Sequence, residues 1–168
     1  MKTIFSFEVF PPKKTMPIDT IYNTLDELKD LHPDFISVTF GAGGSENCDN
    51  AVGIAKRIKD VCNVKSVIHM PCLNMTKNDA TFVLEEFQKA GIENILALRG
   101  DKVEGKEPAN EFLHAEDLIK FIKDFDSKRT DGKSFNIFGA CYPELHPESK
   151  SVYDDIDFLK RKVDAGAS

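Results

Sequence analysis

The side chains able to do chemistry in this chain fall just after short apolar runs. Glu8 sits among Phe7, Val9 and Phe10, immediately before Pro11-Pro12. A carboxyl group in apolar company is partly desolvated, which favours its neutral form and suits a general acid near neutral pH. The plainer alternative is a rim glutamate paired with a lysine such as Lys13. Thr39-Phe40-Gly41-Ala42-Gly43-Gly44-Ser45 is rich in glycine and lets backbone approach a planar or anionic ligand. It matches neither the dinucleotide GxGxxG nor the phosphate-loop pattern, and taken alone it is a turn. His69 has no further ligands at metal-binding spacing, so it reads as a hydrogen-bonded rim histidine or a cofactor contact, with no metal site expected. Arg99-Gly100-Asp101 follows the apolar Ile95-Leu96-Ala97-Leu98. Charges at the end of a buried strand are costly unless matched, so Arg99 either pairs locally with Asp101 or meets a ligand. In Cys141-Tyr142-Pro143-Glu144-Leu145-His146-Pro147-Glu148 two prolines restrict where Tyr142, Glu144 and His146 point, as a ligand wall or a structural turn requires. Asp155, Arg161 and Lys162 follow on a segment of helical period, by themselves a solvated charged face.

The elements that must position these groups alternate regularly. Runs of strand length lie at 3–10, 35–40, 64–70, 94–98 and 135–141, and segments of helical period at 18–31, 50–62, 79–90, 115–125 and 151–165. The first helix aligns Ile18, Tyr22, Leu25, Leu28 and Leu31 on one stripe, and the third aligns Ala80, Val83, Leu84, Phe87 and Ala90. Five βα units in succession predict a parallel sheet with crossover helices. Ser6 and Glu8 share one face of the first strand, and Ser37 and Thr39 alternate against Ile36, Val38 and Phe40 in the second. Strands covered by helices on both sides are apolar on both faces. A single polar face therefore favours a barrel interior over a doubly wound, flavodoxin-like sheet. A (βα)8 barrel needs about 250 residues, so the chain covers five of eight units. Ala165-Gly166-Ala167-Ser168 repeats the helix stop of Ala90-Gly91-Ile92-Glu93 without a strand after it. Residues 1–168 are expected to form one domain, the N-terminal part of such a barrel.

Composition removes several function classes. The 168 residues hold 22 Lys plus Arg against 28 Asp plus Glu, a net charge of −6, with no basic tract. That balance argues against nucleic acid or an anionic membrane as partner. No apolar run reaches the ~18 residues of a membrane span, and the first residues lack the features of a signal peptide. Four widely spaced cysteines without a CxxC pair read as reduced thiols in a cytoplasm.

Together, Ser6-Phe7-Glu8-Val9-Phe10-Pro11-Pro12, Ser37-Val38-Thr39-Phe40-Gly41-Ala42, Ala97-Leu98-Arg99-Gly100-Asp101, Tyr142-Pro143-Glu144-Leu145-His146-Pro147-Glu148 and Leu159-Lys160-Arg161-Lys162-Val163-Asp164-Ala165-Gly166-Ala167 closely resemble the methylenetetrahydrofolate reductase family. The resemblance implies a flavin-dependent barrel that reduces methylenetetrahydrofolate to methyltetrahydrofolate in one-carbon and methionine metabolism. NADH or NADPH would supply electrons through FAD, with folate as small-molecule partner. It assigns Glu8 as the acid and Asp101 as the aspartate beside flavin and pterin. It places Thr39 near nicotinamide and flavin, and counts Ala42, His69, Arg99, Gly100, Asp101, Ala115, Tyr142, His146, Asp155, Arg161 and Lys162 among positions that hold FAD. The sequence departs from the pattern at Phe40 and His114, where tyrosines are found, at Ser149 for alanine and at Phe158 for asparagine. Later strands of the family carry folate contacts that this sequence does not reach. The rival implication is a non-catalytic flavin-binding fragment or subunit that needs a partner chain or a second copy.

Overall fold

The structure, a computed structural model, describes residues 3–13, 15–40, 48–102, 105 and 107–168. Strands and helices alternate as β1 (Ser6–Val9), α1 (Asp19–Lys29), β2 (Phe35–Val38), α2 (Cys48–Asp60), β3 (Ser66–Pro71), α3 (Lys77–Lys89), β4 (Asn94–Leu98), α4 (Ala115–Ser127), β5 (Asn136–Gly139) and α5 (Val152–Asp164). Every strand pairs in parallel with the next, in the order β1-β2-β3-β4-β5. A doubly wound sheet reverses its strand order at a switch point. No reversal occurs here, so the winding is that of a TIM-type barrel, five units of it.

Side-chain alternation explains how the arc is held. Val9, Ile36, Val38, Ile68, Met70, Ile95, Ala97 and Ile137 belong to the buried core, together with Leu25 of α1, Ile54 and Ile58 of α2, Leu84 and Phe87 of α3 and Leu118 and Ile122 of α4. Glu8, Ser37 and His69 stand on the alternate face, outside that cluster. The polar face read from the first two strands is therefore the inner face of the arc. The amphipathic stripe of α3 is buried as its spacing predicts, except that Ala90 caps the helix and is partly buried. Leu31 departs from the expected stripe: α1 ends at Lys29, and Leu31 lies beyond it, exposed.

Caps set the helix starts that position the site. Thr76 Oγ1 accepts from the Asp79 amide (3.1 Å) while Asp79 Oδ2 accepts from the Thr76 amide (2.9 Å), so α3 begins two residues before the predicted 79. Asp117 Oδ2 likewise accepts from the amides of Leu113 and His114, which starts α4 at Ala115, on the rim. At the opposite end of the sheet, Asn136 Nδ2 donates to Asn94 Oδ1 (3.0 Å) and Asn94 Nδ2 to the Ser66 carbonyl (2.9 Å). These side chains tie the foot of three strands.

Helix α5 is the exception to the packing. It buries no residue, and Val152, Ile156, Leu159 and Val163 form an exposed apolar row. Beyond it, the Ser168 amide donates to the Ile137 carbonyl (2.9 Å), so the chain returns to the edge of β5. The crossovers that follow β1 and β4 return in the same way, with the Asp34 amide on the Phe5 carbonyl (2.7 Å) and the Asn136 amide on the Glu93 carbonyl (2.8 Å).

Candidate functional site

The C-terminal ends of β3, β4 and β5 open onto two adjoining clefts. The larger, about 620 Å³, lies between the loops after β4 and β5, α5 and the start of α4. The smaller, about 170 Å³, lies over the inner face beside His69 and Phe40. Leu98, Gly100 and Asp101 line both. Gly100 is the pivot, with φ +81°, and a Cβ added there would meet Pro71 Cβ at 2.7 Å. Only glycine satisfies both the left-handed backbone and the close approach.

In the larger cleft the sequence-predicted residues come together. Arg99, Ala115, Tyr142 and His146 line its walls, and Asp155 and Lys162 enter from α5. Arg99 does not take Asp101 as its local partner. Its guanidinium grips the Glu148 carboxylate with two bonds, 2.5 and 3.1 Å long, which join the two loops across the mouth. The pair raises the Arg99 pKa and holds the Glu148 carboxyl below its ordinary range. Lys162 Nζ donates to the Ala140 carbonyl (2.6 Å), and burial lowers its pKa. It is a partly desolvated cation facing the cleft.

Asp155 organises the loop after β5. Its carboxylate accepts from the Ser149 hydroxyl in a very short bond and from the His146 amide (2.6 Å), and these two bonds lower its pKa in that order. His146 Nδ1 accepts from the Glu148 amide (3.0 Å), and its ring meets the edge of Tyr142 at 4.5 Å. The departures from the family pattern are thus partnered within this chain. Ser149 serves Asp155, and His114 stacks on Phe158 with ring centres 6.2 Å apart. Arg161 lies outside both clefts as the described residues line them, over the Phe158 ring at 4.5 Å and 3.4 Å from Glu116 Oε2.

On the inner face, His69 Nε2 lies 3.5 Å from Glu8 Oε2. The imidazole is 10% exposed and Glu8 50%. Burial pulls the His69 pKa below its ordinary value, and the Glu8 charge only partly restores it. Nε2 is buried and makes no hydrogen bond among the described residues. Glu8 therefore faces His69 across the sheet, on an open surface rather than in apolar enclosure. Thr39 lies outside both clefts as the described residues line them, its amide on the Val9 carbonyl (3.0 Å). Ala42 falls outside the described residues.

Sequence reasoning missed two contributors. Glu148 was seen only as part of a motif, because its partner lies 49 residues away. Asn74, which lines the small cleft and donates to the Asp101 carbonyl (3.1 Å), sits in a loop with no local signal.

A parallel βα arc with charged side chains and aromatic rings gathered at its C-terminal rim is of the TIM-barrel class, whose ligand sites lie in the βα loops. Similarity to known proteins is more specific. The family model described as methylenetetrahydrofolate reductase matches residues 1–168, and the chain belongs to that family. It is 38% identical over 163 residues to 5,10-methylenetetrahydrofolate reductase of Escherichia coli (strain K12), covering 97% of this chain and 52% of that one. To methylenetetrahydrofolate reductase (NADH) 1 of Arabidopsis thaliana it is 37% identical over 179 residues, covering 99% of this chain and 29% of the relative. The chain thus spans about half the length of the bacterial relative and less than a third of the plant one. Among solved structures, the 4-hydroxy-tetrahydrodipicolinate synthase of Methylacidiphilum fumariolicum SolV aligns with a TM-score of 0.58 at 14% identity, over 98% of this chain and 51% of that chain, a likeness of fold.

Proposed function

We propose that residues 1–168 form one domain, the FAD-holding part of a cytoplasmic reductase acting on methylenetetrahydrofolate. When bound, the flavin would accept a hydride from NADH or NADPH and deliver it to the methylene carbon of the folate. The observation that carries this reading is the convergence of Arg99, Gly100, Tyr142, His146, Asp155 and Lys162 on one cleft of about 620 Å³. That volume is in the range of ligand pockets, roughly 300–1,000 Å³. The chain's residues fit the group. Lys162 offers a cation to a diphosphate, Tyr142 and His146 offer rings for planar contact, and Arg99, bound to Glu148, holds the two loops that frame the cleft. The buried, unbonded His69 Nε2 and Asn74 Oδ1 leave polar atoms for a ligand to satisfy.

Within this reading Glu8 is the acid. Its carboxyl lies on the inner face, half exposed, with His69 Nε2 3.5 Å away. It donates a proton to the folate's nitrogen as the imidazolidine ring opens, and the cationic carbon that results is favoured by the negative charge of Asp101 nearby. His69, kept neutral by burial, adds no competing positive charge. A second reading, a flavin-binding unit that turns over only with further strands or a partner chain, is favoured by the half-exposed Glu8 on the inner face and by Tyr153 and Val163, exposed on α5 outside both clefts.

Spectroscopy tests the proposal. The protein should take up FAD, and its flavin band should bleach with NADH and recover with methylenetetrahydrofolate. Glu8→Gln should abolish the recovery and spare the bleaching. Loss of both half-reactions together refutes the role of Glu8, and bleaching without recovery in the native sequence selects the second reading.

A further inference from the structure

Asn74 carries no assigned role, yet it stands between the two halves of the site. Its Nδ2 donates to the Asp101 carbonyl at 3.1 Å, tying the loop after β3 to the loop after β4. A carbonyl only accepts, so the amide orientation is settled: nitrogen to Asp101, and Oδ1 the other way. That Oδ1 is buried and has no hydrogen-bond partner among the described residues. Asn74 and His69 both line the cleft of about 170 Å³, and His69 Nε2 is likewise buried and unbonded among the described residues. The rest of the wall is Phe40, Pro71, Met75, Leu98, Gly100 and Asp101, none of which makes a hydrogen bond to the Asn74 Oδ1. Buried polar atoms are paired in the great majority of proteins, and two orphans on one small cleft are a local exception. An aromatic and apolar slot with an acceptor at its edge takes a flat heterocycle that presents an N–H.

We propose that Asn74 is a ligand-contacting residue whose Oδ1 accepts from a ring N–H of the bound isoalloxazine, while its Nδ2 fixes Asp101 beside that ring. This rests on the flavin reading above and adds a residue to it. The same arrangement makes Asn74 the link by which the carboxylate-bearing loop and the ring share one anchor, so ring position and Asp101 position vary together.

The test compares Asn74→Leu and Asn74→Asp with the native full chain, reading FAD affinity by flavin fluorescence and loop order by amide hydrogen exchange. Asn74→Leu removes both contacts; FAD should bind roughly ten-fold more weakly, as the loss of one buried hydrogen bond predicts, and exchange at Arg99 to Lys102 should quicken. Asn74→Asp keeps an oxygen facing the cleft and loses the donor; it should speed exchange as much while holding FAD within about three-fold of native. Equal FAD binding by Asn74→Leu and the native protein overturns the contact, as does a loss in Asn74→Asp as large as in Asn74→Leu. Unchanged exchange in both variants overturns the anchor. A native protein that takes up no FAD overturns the flavin reading itself, and the contact with it.

Discussion

Gly100→Ala separates backbone strain from collision at the centre of the site. A residue with a Cβ in the left-handed region loses roughly 1–2 kcal/mol, partly offset by about 0.4–1 kcal/mol from the stiffer unfolded chain. Gly132, at φ +70° with nothing within 4 Å of an added Cβ, is the matched control, because those two contributions are all its substitution involves. At Gly100 the new methyl would also stand 2.7 Å from Pro71 Cβ, where unstrained carbons keep about 3.5–4.0 Å. Pro71 cannot retreat easily. It is the last residue of β3 and pairs with Leu98, and the next amide, of Cys72, bonds the Leu98 carbonyl at 3.0 Å. Overpacking of this kind costs roughly 1–3 kcal/mol. Gly100→Ala should therefore lose about 2 kcal/mol more than Gly132→Ala. For a chain of 168 residues that is a difference of about 4–8 °C in Tm. Urea titrations at one pH, with equal m-values, measure it directly. Equal losses in the two variants would mean that β3 yields, and the argument that Pro71 requires glycine at position 100 would be refuted.

Away from the site, Arg129 and Asp126 are both 7% exposed and 3.3 Å apart, with Asp131 on the same guanidinium and the Phe135 ring beneath it. Arg129→Ala leaves the Asp126 carboxylate buried and should cost about 3 kcal/mol in urea, while Asp126→Asn with Arg129→Ala should cost less than the sum. The loop after β5 should be acid-sensitive. Asp155 has a lowered folded pKa, so its bond to Ser149 stabilises the fold above the unfolded value near ~3.9 and is lost as pH falls through the folded value. Ser149→Ala should therefore be less stable than native at pH 7, and the gap should close below about pH 4 in denaturation midpoints taken across that range.

Most of the architecture was legible because its signals are local. Asn94–Leu98 is a strand at its predicted bounds, an apolar run stopped by Arg99-Gly100. The first strand is shorter than the predicted 3–10, since Phe5 spends its amide on the Asp34 side chain (3.0 Å) instead of the ladder. The barrel winding followed from the polarity of Ser6, Glu8, Ser37 and Thr39, which marks one face of the first two strands as an interior without helices on it. The site was legible as a set of positions, and its wiring was not. Nothing near Arg99 in sequence indicates that Glu148, rather than Asp101, closes its ion pair, and nothing near Asn74 indicates Asp101. Both depend on how far β3, β4 and β5 project their loops, a property of the assembled sheet. The enclosure expected around Glu8 came from its apolar neighbours in sequence, yet Phe7 and Val9 point to the helices, and Glu8 to the open side.

The thin burial of α5 has a thermodynamic result. An element that buries no residue, held by a serine cap, a lysine on a carbonyl, an aspartate on a loop and the Phe158 and Arg161 contacts to His114 and Glu116, is expected to open at less than the global unfolding free energy. Asp155 and Lys162 face the cleft from that same element. Whatever grips them fastens the helix as well, and its apparent affinity is lowered by the fraction of molecules in which the helix is undocked. Occupancy and resistance to proteolytic nicking after β5 consequently rise and fall together, and a starved protein is trimmed there first.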